Sequence, residues 1–290
     1  MSKKSITAAG VIVLLLLFAL ASWILQADAD KAVPEGNLQV HFIDVGQGDA
    51  ILVQTPRQNI LIDGGERGPA ALDYLKSRGV GRLDLVIGTH PHSDHIGGLI
   101  DVLQEIPVQE IIDPGVVHTT KTFEDYLTLI DEREIKFTEG RAGLRYDLGG
   151  GAGMQILHPT APSSSRLNDA SIVARVDFGR LSFLFTGDIE RAAEKQILES
   201  GYNPGAVILK VSHHGSRDSN TGAFLEAVNP KTAVIMCGSG NTYGHPHSET
   251  LDKLAGAGVE VYRTDRDGTV LISTDGETYT VKCARQEGRE

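Results

Sequence analysis

Four side chains that bind metal ions well lie close together in this sequence, directly after an apolar run that ends at Gly88. They are His90, His92, Asp94 and His95. Imidazole and carboxylate groups are ligands that zinc, manganese and iron accept in proteins. A polar surface loop can be rich in histidine by chance, but a cluster of this density directly after a buried strand favours a metal site.

The spacing within this cluster predicts two ions. His90 and His92 are two residues apart in extended chain, so their side chains point the same way. Asp94 and His95 lie around the following turn and can face a second ion. The predicted site is therefore dinuclear and would hold two divalent cations, Zn²⁺ or Mn²⁺.

Further candidate ligands follow two other predicted strands. Asp188 comes after the strand 181–185, and His213 and His214 come after the strand 206–211. An aspartate at such a turn can simply cap the next helix, but other candidates end strands in the same manner. At least one of the two histidines should bind metal, and the other could contact substrate or act as an acid. Asp188 is the candidate for a carboxylate shared by both ions, with a hydroxide between them that attacks a scissile bond.

Three more strand ends carry polar side chains, which are Asp44, Asp63 and His158. Asp44 and Asp63 should project at the same sheet edge, where each could cap a turn. Asp63 could equally hold the far nitrogen of a ligand histidine. His158 could reach the site, but we expect it to be a surface residue. We expect Asp49, in the turn 46–49, to be structural.

The composition limits the classes of function. The 290-residue chain has a net charge of −11, which argues against a broad basic surface for nucleic acid. A phosphate-bearing substrate is still compatible, because bound cations supply positive charge locally. Only two cysteines occur, Cys237 and Cys283, and there is no CxxC pair. The metal site must therefore be built from histidine and aspartate, and we expect both thiols to be free.

The first 29 residues are typical of a signal anchor or a signal peptide. Lys3 and Lys4 precede an uncharged run, 8–25, which would be about 27 Å long as a helix and close to the thickness of a bilayer core. The run is long for a signal peptide, which favours an anchor in the cytoplasmic membrane. The charge pattern places the catalytic domain outside that membrane; cleavage near 27–29 would make it a secreted protein. Residues 30–37 are a linker, and 38–290 form one catalytic domain.

Several motifs in residues 38–282 together resemble a known family. His90–His95 is similar to the signature ligand cluster of the metallo-β-lactamase superfamily, and Phe185–Asp188 to its bridging aspartate. Within that superfamily, further stretches resemble the hydrolase domain of ComEC-type competence proteins; these are 42–50, 61–65, 168–171, 209–216 and 241–246. The resemblance implies an α/β protein of the α+β kind, with two β-sheets face to face between outer helices in a four-layer αββα sandwich.

The resemblance also implies a reaction, which is metal-dependent hydrolysis of a phosphodiester by a phosphodiesterase or nuclease. His90 and His92 would hold one ion, while Asp94, His95 and one of His213 and His214 would hold the other. Asp188 would bridge the two ions. Four further residues would contact substrate oxygens or assist the leaving group; these are Ser216, Asn241, Tyr243 and His245. The substrate could be single-stranded DNA, and no protein partner can be inferred.

One departure from the superfamily concerns the first ion. The superfamily usually supplies another histidine before the hairpin that leads to the bridging aspartate, where this chain has Asn168-Asp169-Ala170-Ser171. Asn168, Asp169 or water could complete the site, which would then be weaker or prefer manganese. Two alternative functions remain open at this point: hydrolysis of choline-phosphate or other cell-wall esters, and a non-catalytic module that assists DNA uptake. The ComEC-like motifs disfavour a third alternative, hydrolysis of β-lactams.

Overall fold

The computed structural model describes residues 33–34, 36–161 and 166–285. The predicted anchor or signal segment, 1–29, lies outside these residues, as do four residues of the predicted linker 30–37. Within the described part of the chain, no helix is long and apolar enough to cross a membrane.

The described residues contain fifteen strands and seven α-helices. The strands are β1 (Leu38–Phe42), β2 (Ile51–Gln54), β3 (Asn59–Ile62), β4 (Leu85–Ile87), β5 (Glu110–Asp113), β6 (Lys136–Glu139), β7 (Arg145–Gly149), β8 (Ala152–His158), β9 (Val173–Phe178), β10 (Leu181–Phe185), β11 (Ile208–Lys210), β12 (Thr232–Ile235), β13 (Glu260–Arg263), β14 (Val270–Thr274) and β15 (Tyr279–Cys283). The helices are α1 (Ala70–Ser77), α2 (Ser93–Glu105), α3 (Lys121–Glu132), α4 (Arg191–Glu199), α5 (Gly222–Val228), α6 (Ser248–Gly256) and α7 (Thr264–Asp267).

The strands form two mixed sheets. The first has the order β15-β14-β1-β2-β3-β4-β5-β6, and the second has the order β13-β12-β11-β10-β9-β8-β7. One apolar core lies between the sheets, with Phe42 of the first sheet packed near Phe185 of the second. Two further cores lie under the outer helices, around Leu99 and Leu225. The predicted four-layer αββα sandwich is confirmed.

The parallel strands explain why polar residues gather at one edge. In the first sheet β3, β4 and β5 run parallel, and in the second β10, β11 and β12 do so. The carboxyl ends of parallel neighbours lie at the same edge of a sheet. The two edges meet where the Ile172 amide donates to the Thr89 carbonyl. The loops after these strands therefore surround a common cleft.

Helix α2 begins earlier than the sequence suggests. Its apolar pattern predicts a start at Ile96, but the helix begins at Ser93 after an extended His92 (φ −75°, ψ 150°). Asp94 and His95 therefore lie in its first turn, with His95 on the buried side. The polar start of the helix contains no apolar periodicity, so the sequence pattern could not reveal it.

Candidate metal centre

The structure brings together four of the predicted ligands, which are Asp94, His95, Asp188 and His214. One ligand atom from each lies within 4.8 Å of the others. Oδ2 of Asp188 lies 3.2 Å from His95 Nε2 and 3.2 Å from His214 Nε2. Oδ2 of Asp94 lies 3.2 Å from His214 Nε2. The two carboxylates and the two imidazoles thus converge on one point, and we name these four residues the buried half of the site.

Unpaired polar atoms test whether a metal ion fits here. His95 Nε2, His214 Nε2 and Asp188 Oδ1 are all buried, and none has a hydrogen-bond partner among the described residues. A buried polar atom that lacks a partner costs about 1–3 kcal/mol. A divalent cation would satisfy the two nitrogens, and two imidazoles with two carboxylates are a suitable donor set for zinc or manganese.

His90 and His92 lie on the other side of Asp188. Their Nε2 and Nδ1 atoms are 2.9 Å apart, and His90 Nε2 lies 4.0 Å from Asp188 Oδ2. Burial, with the charge of His95, holds the pKa of His90 well below its usual range and lowers the pKa of His92 as well. Both rings are then neutral at neutral pH, which is the form that binds metal.

Two adjacent histidines have different surroundings. His213 and His214 both have positive φ, 49° and 53°, so the backbone turns sharply after β11. His214 is buried, and its Nδ1 lies 2.9 Å from the Met236 carbonyl, which directs Nε2 towards Asp188. His213 is partly exposed, with Nε2 3.9 Å from Asp188 Oδ2 and Nδ1 3.4 Å from a Glu190 oxygen. The geometry therefore favours His214 over His213 as the ligand of the buried half.

A carboxylate orients His95 from behind. Oδ2 of Asp63 lies 2.8 Å from His95 Nδ1, and Oδ1 accepts from the Thr89 amide. Burial alone would lower the pKa of His95, but Asp188, Asp63 and Asp94 outweigh it and raise that pKa well above its usual value. The contact between Asp63 and His95 requires helix α2 to lie close to the loop after β3. A Cβ on Gly98 would lie 2.0 Å from the Gly64 carbonyl oxygen, so only glycine allows it.

Sequence reasoning missed Lys210 and underrated Asp49. Among the described residues, Lys210 is the one lysine or arginine that is buried. Its Nζ forms an ion pair with Asp49, donates to the Gly187 carbonyl at 2.9 Å and lies 3.7 Å from Asp188 Oδ1. Burial opposes the charge, but Asp49 and Asp188 outweigh it and raise the pKa of the lysine, which therefore stays protonated. The available signal was a lysine inside the apolar run 206–211.

The ligands lie at one end of a cavity of about 320 Å³. Its lining comprises Gln47, His92, Ser93, Asp94, His118, Thr120, Asn168, Asp188, His213, His214, Tyr243 and His245. Burial, with the charges of His214 and His213, lowers the pKa of His245 to about 4, so this ring is neutral at neutral pH. A second cavity, of about 370 Å³, lies at the β2–β3 turn and has no histidine or carboxylate among its described lining residues.

Comparison with known proteins identifies the family. The model of the Metallo-beta-lactamase superfamily matches residues 43–239. The chain belongs to this superfamily. Its members are metal-dependent hydrolases, so the coarse assignment from the sequence is confirmed.

Within the superfamily, the chain is similar to two competence proteins. ComE operon protein 3 of Bacillus subtilis (strain 168) is 32% identical over 80% of this chain and 32% of its own length. Competence protein ComA of Neisseria gonorrhoeae is 30% identical over 83% of this chain and 33% of its own length. The predicted similarity to ComEC-type competence proteins is therefore confirmed, although the chain spans only about a third of the length of these relatives.

A solved structure shares the fold. Igni18, a metallo hydrolase from Ignicoccus hospitalis KIN4/I, superposes with a TM-score of 0.54 at 20% identity, over 80% of this chain and 98% of that chain. At this identity the likeness concerns the fold alone.

The histidine that the superfamily usually supplies before the β9–β10 hairpin is replaced by a 3₁₀ turn, Asn168–Ala170. Asn168 lines the cavity; its Nδ2 donates to Glu190, and its Oδ1 is buried without a partner in the described structure. Asp169 instead accepts from the amides of Glu190 and Ala193 at the start of α4. Asn168, and not Asp169, lines the cavity together with His92 and is therefore the better placed of the two to complete the site.

Four more candidates are placed as follows. Asp44 lies outside the cluster, where it binds Arg285 at 2.7 Å and accepts from the Gly46 amide. Ser216 accepts from the Asp218 amide and is not part of the cavity lining. Asn241 bonds to the backbone of His245 and so holds the loop that carries this ring. Tyr243 lies at the rim, 64% exposed.

His158 corrects one expectation. It was expected at the surface, but it is 1% exposed, with Nδ1 3.0 Å from the Ser171 carbonyl and Nε2 3.2 Å from Gln196. Helix α4 packs over β8 and covers the end of that strand. His158 thus supports the turn before β9 and does not line the cleft. Cys237 is a free and buried thiol, as expected, and Cys283 is partly buried.

Proposed function

We propose that this protein is a metal-dependent phosphodiesterase that cleaves nucleic acid, with single-stranded DNA as a substrate. One observation carries the proposal. Oδ2 of Asp188 faces the ligands of the buried half and also lies 4.0 Å from His90, so one carboxylate oxygen is within reach of two groups of metal ligands. Two divalent ions, when bound by these residues, would supply a nucleophilic hydroxide at neutral pH and polarise the phosphoryl oxygens.

The charges of the cleft support a phosphate-bearing substrate that depends on cations. The described residues that line the cavity include Asp94 and Asp188 but no lysine or arginine. A phosphodiester anion would be repelled by these carboxylates unless cations offset them. Substrate binding and turnover should therefore both depend on divalent ions.

The residues around the cleft have separable tasks in this proposal. Asp63 and the Met236 carbonyl fix the rings of His95 and His214, which keeps their Nε2 atoms aimed at the ion site. His245 is neutral at neutral pH and, as a cleft-lining donor, can hydrogen-bond the leaving oxygen. The names of two relatives, competence protein ComA and Recombination protein 2 of Haemophilus influenzae, support a nucleic acid as substrate.

We also propose an extracytoplasmic location. It rests on the apolar run 8–25 with Lys3 and Lys4 before it, a pattern that would hold the catalytic domain outside the cytoplasmic membrane.

A substrate panel tests the proposed function. The purified full chain is stripped of metal with a chelator, reloaded with Mn²⁺ or Zn²⁺, and assayed on bis-p-nitrophenyl phosphate, single-stranded DNA and p-nitrophenylphosphorylcholine. We expect turnover of the first two substrates only after reloading, and loss of that turnover in Asp188→Ala. A stronger reaction with the choline ester would favour a cell-wall hydrolase. Nucleic-acid binding without turnover would favour an accessory module, and full turnover by Asp188→Ala would contradict the mechanism.

A further inference from the structure

Tyr243 has an unusual position at the mouth of the cleft. It lines the same cavity as Asp94, Asp188 and His214, yet its side chain is 64% exposed. It is one of five large apolar or aromatic residues in the described chain that are exposed in this way, and the only one of the five that lines the metal cleft. An exposed aromatic ring beside a buried ligand cluster offers a surface for a substrate group.

The ring of Tyr243 lies next to the ring of His245. The two rings stack with an interplanar angle of 20° and a centroid separation of 5.7 Å. His245 is itself fixed, because Asn241 accepts from its amide at 3.0 Å and donates to its carbonyl. The Tyr243 ring thus has an ordered, near-parallel neighbour at one side, and the 64% exposure of the residue leaves ring surface available to another group.

We propose that Tyr243 is a stacking platform for the nucleobase that flanks the scissile phosphate. This inference rests on the proposed phosphodiesterase function and adds the group that the enzyme recognises beside the reacting bond. Stacking on an aromatic side chain accepts any base, because every base has a π-face. The subsite would therefore favour ligands that have a base over ligands that lack one, and it would not distinguish one base from another.

Charge and volume favour one stacked nucleotide over a bound duplex. No lysine or arginine lines this cavity within the described structure, and the whole chain carries a charge of −11. Proteins that hold a duplex neutralise several phosphates with basic side chains. The volume of about 320 Å³ lies at the lower end of the usual range for ligand sites, which is about 300–1,000 Å³. This cleft suits a single nucleotide, whose base would stack at the rim while its phosphate binds at the ion site.

The test compares ligands that differ only in the base. Binding of thymidine 5′-monophosphate and of 2-deoxyribose 5-phosphate to the Mn²⁺-loaded full chain is measured by titration calorimetry. We expect the wild type to prefer the nucleotide roughly 5- to 100-fold. Tyr243→Ala should reduce this ratio to about one, and Tyr243→Phe should restore it. Phe137→Ala is the matched control, because Phe137 is an exposed aromatic on β6 outside the cavity lining, and it should keep the wild-type ratio.

Turnover separates this inference from the proposed function. Thymidine 5′-(p-nitrophenyl phosphate) and methyl p-nitrophenyl phosphate share a leaving group but differ in the nucleoside. If neither diester is cleaved while the affinity ratio depends on Tyr243, the phosphodiesterase proposal fails and the platform stands. If both diesters are cleaved while the affinity ratio is near one, or is unchanged in Tyr243→Ala, the platform is overturned and the phosphodiesterase remains.

Discussion

The two halves of the metal centre are built differently, although they share Asp188. The buried half, Asp94, His95, Asp188 and His214, is supported from behind by Asp63, by Asp49 with Lys210, and by the Met236 carbonyl. The open half consists of His90, His92 and Asn168, with His213 and Glu190 nearby. There His90 Nε2 lies 2.9 Å from His92 Nδ1, and the Asn168 amide stands where the superfamily usually has a third imidazole. The contrast predicts that the halves differ in affinity for metal.

The largest expected effect comes from the adjacent histidines. His214→Ala should reduce turnover of bis-p-nitrophenyl phosphate roughly a thousandfold or more, because it removes a buried ligand. His213→Ala should cost only about ten- to a hundredfold, since this ring is partly exposed and 3.9 Å from Asp188. Steady-state rates and bound metal per chain measure both effects. Equal losses of turnover in the two variants would contradict the assignment of His214, and not His213, to the buried half.

The support behind the buried half gives the next effect. Lys210→Met should lower turnover roughly 10- to 100-fold and weaken metal binding, because Asp188 Oδ1 and Asp49 lose their charged neighbour. Lys195→Met, an exposed lysine paired with Glu199, is the matched control and should behave as wild type. Circular dichroism establishes that both variants are folded. Normal metal affinity in a folded Lys210→Met protein would contradict this role.

A change in the open half should act in the opposite direction. Asn168→His adds an imidazole beside the cavity and should tighten binding of the second ion by about tenfold. The comparison variant Asn168→Ala should not tighten it. Calorimetric titration of the chelator-treated protein with Mn²⁺ measures this affinity. Unchanged affinity in Asn168→His would mean that Asn168 does not face the ion held by His90 and His92.

The last effect concerns stability near the site and leaves the metal ligands unchanged. Burial raises the pKa of Asp113, at the end of β5, to about 7, and its Oδ2 has no hydrogen-bond partner in the described part of the chain. Because the folded form binds this proton more tightly than the unfolded form, stability should be fully present below about pH 4 and should fall as the pH rises through 7. Asp113→Asn should flatten this profile by roughly 2–4 kcal/mol.

Urea unfolding between pH 4 and pH 8 measures the contribution of Asp113. Asp131→Asn, at an exposed carboxyl on α3, should leave the profile as it is in the wild type. If the free energy of unfolding of Asp113→Asn depends on pH as it does in the wild type, the Asp113 carboxyl is not the cause of that dependence.

The sequence reveals the ligands better than it reveals their support. His90, His95 and Asp188 follow apolar strands, and the parallel order of the strands within each sheet places them at the two edges that meet at the cleft. Lys210 is marked only by its position inside the apolar run 206–211, which does not distinguish a buried lysine from one that projects into solvent. Asp49 has no signal beyond its turn. Their pairing depends on a contact between two sheets that no local pattern records.

The same limit applies to polar residues in loops. From the family motifs, Asp169 is a candidate to complete the first metal site and Asn241 a candidate to contact substrate. In the structure Asp169 caps α4, and Asn241 bonds to the backbone of His245. For Asp63, in contrast, one of the two alternatives is confirmed, because it lies 2.8 Å from the ligand candidate His95. The position of Asp63 follows from a strand end, whereas the other two depend on loop geometry.

The most direct measurement is a metal titration followed by activity. Chelator-treated protein is titrated with Mn²⁺ while bound ions per chain and turnover of bis-p-nitrophenyl phosphate are recorded together. The unequal halves predict two ions that bind with distinct affinities, with full turnover only after the second has bound. Full turnover in protein that contains no metal, or a single ion that suffices for it, would contradict a centre in which Asp188 serves both halves.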